Sequence, residues 1–149
     1  MVGFDTNVLV YATAPIVDVK VVRARDLMAR GMAAASTVLL LQTLAEFSNV
    51  AIRKAGIQVA EVREILDAWL AVLPVQAADQ SDLLEALGAV GTHRLAFWDA
   101  MLWASAKRAG IRYLLSEDFQ DGFVLHGVTF INPFHRRNDK LIDEILPPP

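Results

Sequence analysis

No cysteine occurs in the 149 residues of this chain, which excludes disulfides, thiolate zinc sites and cysteine nucleophiles. Histidine is scarce, at three residues, so any bound metal would have to rely mainly on carboxylates. Long apolar runs are also missing, and stretches such as residues 38–41 fall far short of a membrane span. There is no basic excess: 14 Lys plus Arg face 17 Asp plus Glu, for a net charge of −3. A protein that binds by neutralising phosphates usually shows such an excess, so any basic surface here must be local. No repeat, low-complexity tract or Gly/Ser linker interrupts the chain. Residues 1–10 have no basic segment, and Asp5 breaks their apolar run, so a cytoplasmic protein without a secretory leader is expected.

What is present suits one buried core. Hydrophobic residues make up 54%, charged residues 21%, and the mean hydropathy is +0.37. Residues 1–4 read as a strand ending at Asp5, with a polar turn and a helix start after it. Helical spacing runs over 18–30, with Gly31 as the expected stop. A buried strand is expected at 34–40, then helices at 42–54 and 59–71, and a short strand at 73–77. Asp79 or Ser81 can cap a helix that Gly91 closes, and 97–108 is the clearest helix of all. Strands at 112–115 and 128–132 flank a polar loop at 116–122. Strands separated by helices of ten or more residues predict βαβ units, and so an α/β domain with a parallel sheet covered on both faces. Such sheets bind ligands beyond the carboxyl ends of their strands. Residues 1–134 are expected to form this domain, with 135–149 as a peripheral C-terminal tail.

Four acids fall where that architecture would place a site. Asp5 ends a strand expected to be buried, where a carboxylate is costly unless paired, hydrogen-bonded or bound to metal; a helix N-cap is the plainer alternative. Glu46 lies among apolar residues with Gln42 one turn earlier, although taken alone an ordinary exposed Glu is the better reading. Asp99 is the only acid in the apolar segment 97–103, near a helix start where the dipole alone would favour its charge. Asp118 follows a strand directly. Glu117 and Asp121 compete with it for that role, turn chemistry is the alternative, and Phe119 beside it would anchor the loop. Gathered acids repel one another unless a cation neutralises them, and Mg²⁺ or Mn²⁺ suits an all-oxygen site. Such an ion can orient water and lower its pKa, which is the chemistry of phosphodiester hydrolysis.

Four segments carry a family resemblance: Phe4-Asp5-Thr6-Asn7-Val8-Leu9-Val10-Tyr11, Gln42-Thr43-Leu44-Ala45-Glu46-Phe47, Phe97-Trp98-Asp99-Ala100, and Leu115-Ser116-Glu117-Asp118-Phe119 with Gly122. In this order and spacing they resemble the PIN-domain ribonucleases, in particular the VapC-type toxins of bacterial toxin–antitoxin pairs. The resemblance runs from Met1 to Phe134. It implies a three-layer α/β/α domain around a four- to five-stranded parallel sheet. It also implies an endoribonuclease dependent on Mg²⁺ or Mn²⁺, usually homodimeric and inhibited by a cognate antitoxin protein. Asp5, Glu46, Asp99 and Asp118 fall on the family's acidic quartet, Asn7 on its polar helper and Ser116 on its hydroxyl position. Asp5, Asp99 and Asp118 would hold the metal, with Glu46 as ligand or general base. Relatives commonly carry a small polar residue just before Gln42, where this chain has Leu40-Leu41.

Two other classes compete. A phosphatase-like hydrolase would use Asp5 as nucleophile, but those enzymes want a second Asp two residues on, where this chain has Asn7. A non-catalytic module would keep the fold and only bind. Among the remaining residues, Trp98 and Trp103 are expected in the core and not as a base-stacking platform, and His93-Arg94 in a solvent-facing loop and not against RNA phosphate. Lys20, Arg23, Arg25 and Arg30 read as a solvated helix face, while Arg53-Lys54 and Lys107-Arg108 complement helix dipoles.

Overall fold

The computed structural model describes residues 1–16 and 18–148. Strand β1 (Val2–Phe4) leads into helices α1 (Thr6–Thr13) and α2 (Val19–Ala33), then strand β2 (Leu39–Leu40). Helices α3 (Leu41–Arg53) and α4 (Val59–Leu70), strand β3 (Val75–Gln76), and helices α5 (Gln80–His93) and α6 (Phe97–Arg108) follow. Strands β4 (Tyr113–Leu115), β5 (Val124–Leu125) and β6 (Val128–Ile131) complete the sheet, and helix α7 (Asp139–Ile145) ends the chain.

The sheet is mostly parallel. β1 pairs with β4 and β4 with β6, both in parallel, so that Phe4, Leu115 and Ile131 lie in register. β2 and β3 form a parallel pair joined to β1 by a bridge between Val2 and Thr37. The short β5 runs antiparallel to β6 through a turn at His126 and Gly127, both with positive φ, as a type I′ hairpin turn requires. Side chains alternate across the strands. Leu115 and Ile131 join one core with α1–α4, whereas Leu114 and Phe130 join another with α5 and α6. These two cores make the three α/β/α layers.

The register positions the site. Past the strand ends, the Asp5 N–H donates to Leu115 O (2.9 Å) and the Ser116 N–H to Ile131 O (3.0 Å). The ladder therefore holds Asp5 and Ser116 side by side at one carboxyl edge.

Several expectations change. Gly31 does not stop α2, which continues to Ala33; a Cβ at Gly31 would lie 2.7 Å from Cε2 of the buried Phe4 ring, so close approach explains this glycine. Gly91 lies within α5, which ends at Arg94 in a left-handed conformation. The strands expected at 34–40 and 73–77 shrink to two residues each. The segment after Phe134 is not peripheral: α7 and the residue after it bury Ile142 and Leu146 in the first core. Arg23 and Arg30 tie α2 to that segment through Asp139 (2.9 Å) and Asp143 (2.6 Å). These cations are consumed within the chain. Lys107 and Arg108 likewise pair with Glu85 and the buried Asp82 of α5. No helix among the described residues is long and apolar enough to cross a membrane.

Candidate active site

Asp5 serves as the N-cap of α1, so the plainer reading of this residue holds too. Its Oδ1 accepts from the Thr6 N–H (2.6 Å), while Oδ2 accepts from Ser116 Oγ (2.6 Å) and Asn7 Nδ2 (3.3 Å). Burial at 6% exposure pushes its carboxyl up to about 6, against the pull of the Ser116 and Thr6 donors. The charges of Asp118 and Glu46 push the same way as burial.

Asn7 links the two strand ends. Its Nδ2 also donates to Asp118 Oδ2 (3.1 Å) and approaches Ser116 Oγ (3.3 Å), which accepts in turn from the Asp118 N–H (3.1 Å). Glu46 sits one turn into α3 and is oriented from two sides. Thr6 Oγ1 donates to its Oε2 (2.8 Å) and Gln42 Nε2 to its Oε1 (2.9 Å). The α3 start has no side-chain cap at Leu40; instead Thr43 Oγ1 bonds back to Leu40 O (2.8 Å). Asp99 occupies the first turn of α6, half-buried, and its carboxyl is raised by burial first and then by the charges of Asp118 and Glu46.

All four expected acids, with Asn7, line one open cavity of about 450 Å³. Ser116 stands just behind it, buried between Asp5 and Asp118. The competitors lie elsewhere. Glu117 accepts from Tyr11 Oη (2.7 Å) and pairs with Lys20. Asp121 binds the Asn132 N–H (2.7 Å), Arg137 (2.6 Å) and Asn138 (2.8 Å), and these partners hold its carboxyl low although burial works against them. Phe119 anchors the loop by stacking on Phe130 at 4.1 Å.

Among the described residues, no three His, Asp or Glu side chains form a ready-made metal cage. Mg²⁺ needs none, because it commonly takes one or two carboxylates and keeps several waters. The residues fit such an ion on two counts. Asp5 and Asp99 are both held uphill by burial and by the charges of Asp118 and Glu46, and Asn7 Oδ1 is buried without a hydrogen-bond partner.

Sequence reasoning gives no site role to several members of this cavity, among them Lys54, Thr6 and Trp98. Lys54 caps the end of α3, and among the described residues it is the only basic side chain lining the cavity. It lies on one stripe with Gln42, Glu46 and Val50, and this i, i+4 spacing is the sequence signal that marks it, beyond complementing the helix dipole. Thr6, which enters the sequence reading only as part of the first motif, lines the cavity too. Trp98, expected in the core, is 64% exposed on the cavity rim, unlike Trp103 at 2%.

Comparison with known proteins gives the family and the fold. The sequence model of the PIN domain matches residues 3–121, and the chain belongs to the PIN-domain family. Mycobacterium tuberculosis VapC20, described as a toxin that cleaves the sarcin–ricin loop, superposes with a TM-score of 0.64 at 17% identity, over 79% of this chain and 90% of that one. A toxin–antitoxin complex from Klebsiella pneumoniae gives 0.65 at 16% identity, over 89% and 98%. FitAcB from Neisseria gonorrhoeae gives 0.57 at 19% identity, over 91% and 99%. At these identities the likeness is one of fold. No curated protein matches the sequence.

Proposed function

We propose that this chain is a metal-dependent endoribonuclease that hydrolyses RNA phosphodiester bonds, and that it is the toxin of a toxin–antitoxin pair. The observation that carries this reading is the convergence of Asp5, Glu46, Asp99 and Asp118, from four separate segments (the ends of β1 and β4 and the opening turns of α3 and α6), on one open cavity. Asp5, Asp99 and Asp118 would hold Mg²⁺ or Mn²⁺, with Glu46 as a further ligand or the general base. When bound, the ion supplies an acidified water and stabilises charge on the phosphoryl oxygens.

The chain's own groups do the rest. Ser116 and Asn7 fix Asp5 and Asp118 relative to each other. Thr6 and Gln42 aim Glu46, which is placed to take a proton from water. Lys54 offers the cavity a positive charge for a substrate phosphate. The antitoxin partner is supported by the Klebsiella pneumoniae toxin–antitoxin complex, and the substrate class by the sarcin–ricin loop that VapC20 is described as cleaving. A homodimer is what the family resemblance implies, and a cytoplasmic location is consistent with the PIN fold.

Expression of the chain alone tests this reading. Growth should stop, Asp99→Asn should abolish the arrest, and co-expression of the product of the adjacent reading frame should relieve it. Growth unaffected by the wild-type chain, or arrest that persists in Asp99→Asn, would overturn it.

A further inference from the structure

Beside the acid cavity lies a second, more apolar one of about 540 Å³, lined by Leu41, Ala45, Ala78 and Met101. The two share Gln42, Glu46 and Trp98, so the indole of Trp98 stands on the ridge between them. A tryptophan left 64% exposed would gain by being covered, since aromatic side chains carry a large apolar area. It is nevertheless held in place. Phe97 packs edge-on against it at 5.1 Å. Its main-chain oxygen accepts from Gln42 Nε2 (3.1 Å), the same nitrogen that donates to Glu46 Oε1. The position of the α6 start that carries Trp98 is therefore coupled to a site carboxylate.

Lys54 stands at the other end of the same wall. Gln42, Glu46, Val50 and Lys54 follow one another at i, i+4 along α3, so about 18 Å of helix axis separates the first from the last. The wall thus presents an aromatic ring, then acids, then a cation. A flat ring for base stacking together with a positive charge for the backbone is how proteins take single-stranded nucleic acid.

We infer that Trp98 is a stacking platform for an unpaired RNA base flanking the scissile phosphate, and that the strand runs along α3 from Trp98 toward Lys54. This rests on the chain being a ribonuclease. Trp98 is then a substrate-binding residue that favours unpaired over paired RNA, and the apolar cavity behind it receives the stacked base.

The test uses the full chain in the Asp99→Asn background with a labelled single-stranded RNA of mixed sequence. Trp98 is the exposed indole, Trp69 and Trp103 being 7% and 2% exposed, so RNA binding should quench the intrinsic fluorescence. By anisotropy, adding Trp98→Ala should raise the Kd about tenfold, the loss of one base–aromatic stack, and Trp98→Phe should restore most of it. Duplex RNA of the same sequence should show no dependence on residue 98. With Asp99 intact, Trp98→Ala should raise KM more than it lowers kcat. If Trp98→Ala binds the single strand as tightly as its parent while the wild-type chain still cleaves RNA, the platform is wrong and the ribonuclease reading stands. If the wild-type chain neither binds nor cleaves RNA, the ribonuclease reading fails and the platform with it. A change in oligomeric state or in antitoxin binding, at unchanged RNA affinity, would assign the ridge to a protein partner and overturn the inference.

Discussion

Asp5→Asn removes a charge from a buried position while keeping the shape of the side chain. In the unfolded chain the Asp5 carboxyl titrates near 3.8; in the folded, metal-free protein burial raises it to about 6. Between those values the folded state binds the extra proton. Its stability therefore falls as pH rises from about 4 through about 6, then levels off. The whole difference is worth about 3 kcal/mol, at 1.36 kcal/mol for each tenfold change in proton affinity. Asparagine cannot ionise, so the variant escapes this loss. The altered hydrogen bonds to Ser116 and Thr6 add a further term that varies little with pH and cancels when pH values are compared. Asp99 is raised as well, by burial, Asp118 and Glu46, but it is present in both proteins. In EDTA, Asp5→Asn should gain roughly 2–3 kcal/mol on the wild type between pH 4 and pH 7.5, or roughly 4–12 °C in the difference between their Tm values. Urea titration at several pH values reads this directly. Millimolar Mg²⁺ should then stabilise the wild type more than the variant. A wild-type-to-variant difference that stays flat across this pH range would refute the electrostatic account of the site.

Three further outcomes follow from the same geometry. Asp118→Asn should lower RNA cleavage on the order of a hundredfold, whereas Glu117→Gln should leave it within a few-fold, because Glu117 faces Lys20 and Tyr11; equal losses in a cleavage assay would refute the assignment. Gly31→Ala should lower Tm despite the better helix propensity of alanine: overpacking the Phe4 ring costs about 1–3 kcal/mol against about 1 kcal/mol gained. Asp82→Ala should cost about 2 kcal/mol while sparing cleavage, since Asp82 receives Arg108, Ser105 and the Asp79 N–H, none of which lines the acid cavity. Its carboxyl is held low mainly by Arg108, so the stability it contributes is present above the ordinary carboxylate range and fades as pH falls through its lowered value.

The site was legible in the chain because each acid interrupts or closes an apolar segment, and short apolar segments feeding helices are what a parallel sheet requires. What was not legible depends on tertiary partners. β2 and β3 are two residues long and exist because Leu39 and Leu40 find Val75 and Gln76, which no local period announces. Gly31 and Gly91 look alike in sequence, yet one admits the Phe4 ring and the other meets nothing within 4 Å. In the segment 97–103 nearly every position is apolar, so the pattern gave no reason to place Trp98 outside and Trp103 inside. The charges around Ile142 and Leu146 and the terminal prolines hid a helix whose apolar face, four residues apart, closes the first core. Choosing Asp118 over Glu117 and Asp121 needed Lys20 and Arg137, which lie far away in the chain.

Cleavage of single-stranded RNA by the purified chain, with Mg²⁺, Mn²⁺ or EDTA, and by Asp99→Asn under the same conditions, tests the central claim most directly. The wild type should cut internal bonds with either cation and stop in EDTA, and Asp99→Asn should be slower on the order of a hundredfold. Cleavage that survives EDTA, or that proceeds equally in Asp99→Asn, would contradict a carboxylate-held metal as the working part of this protein.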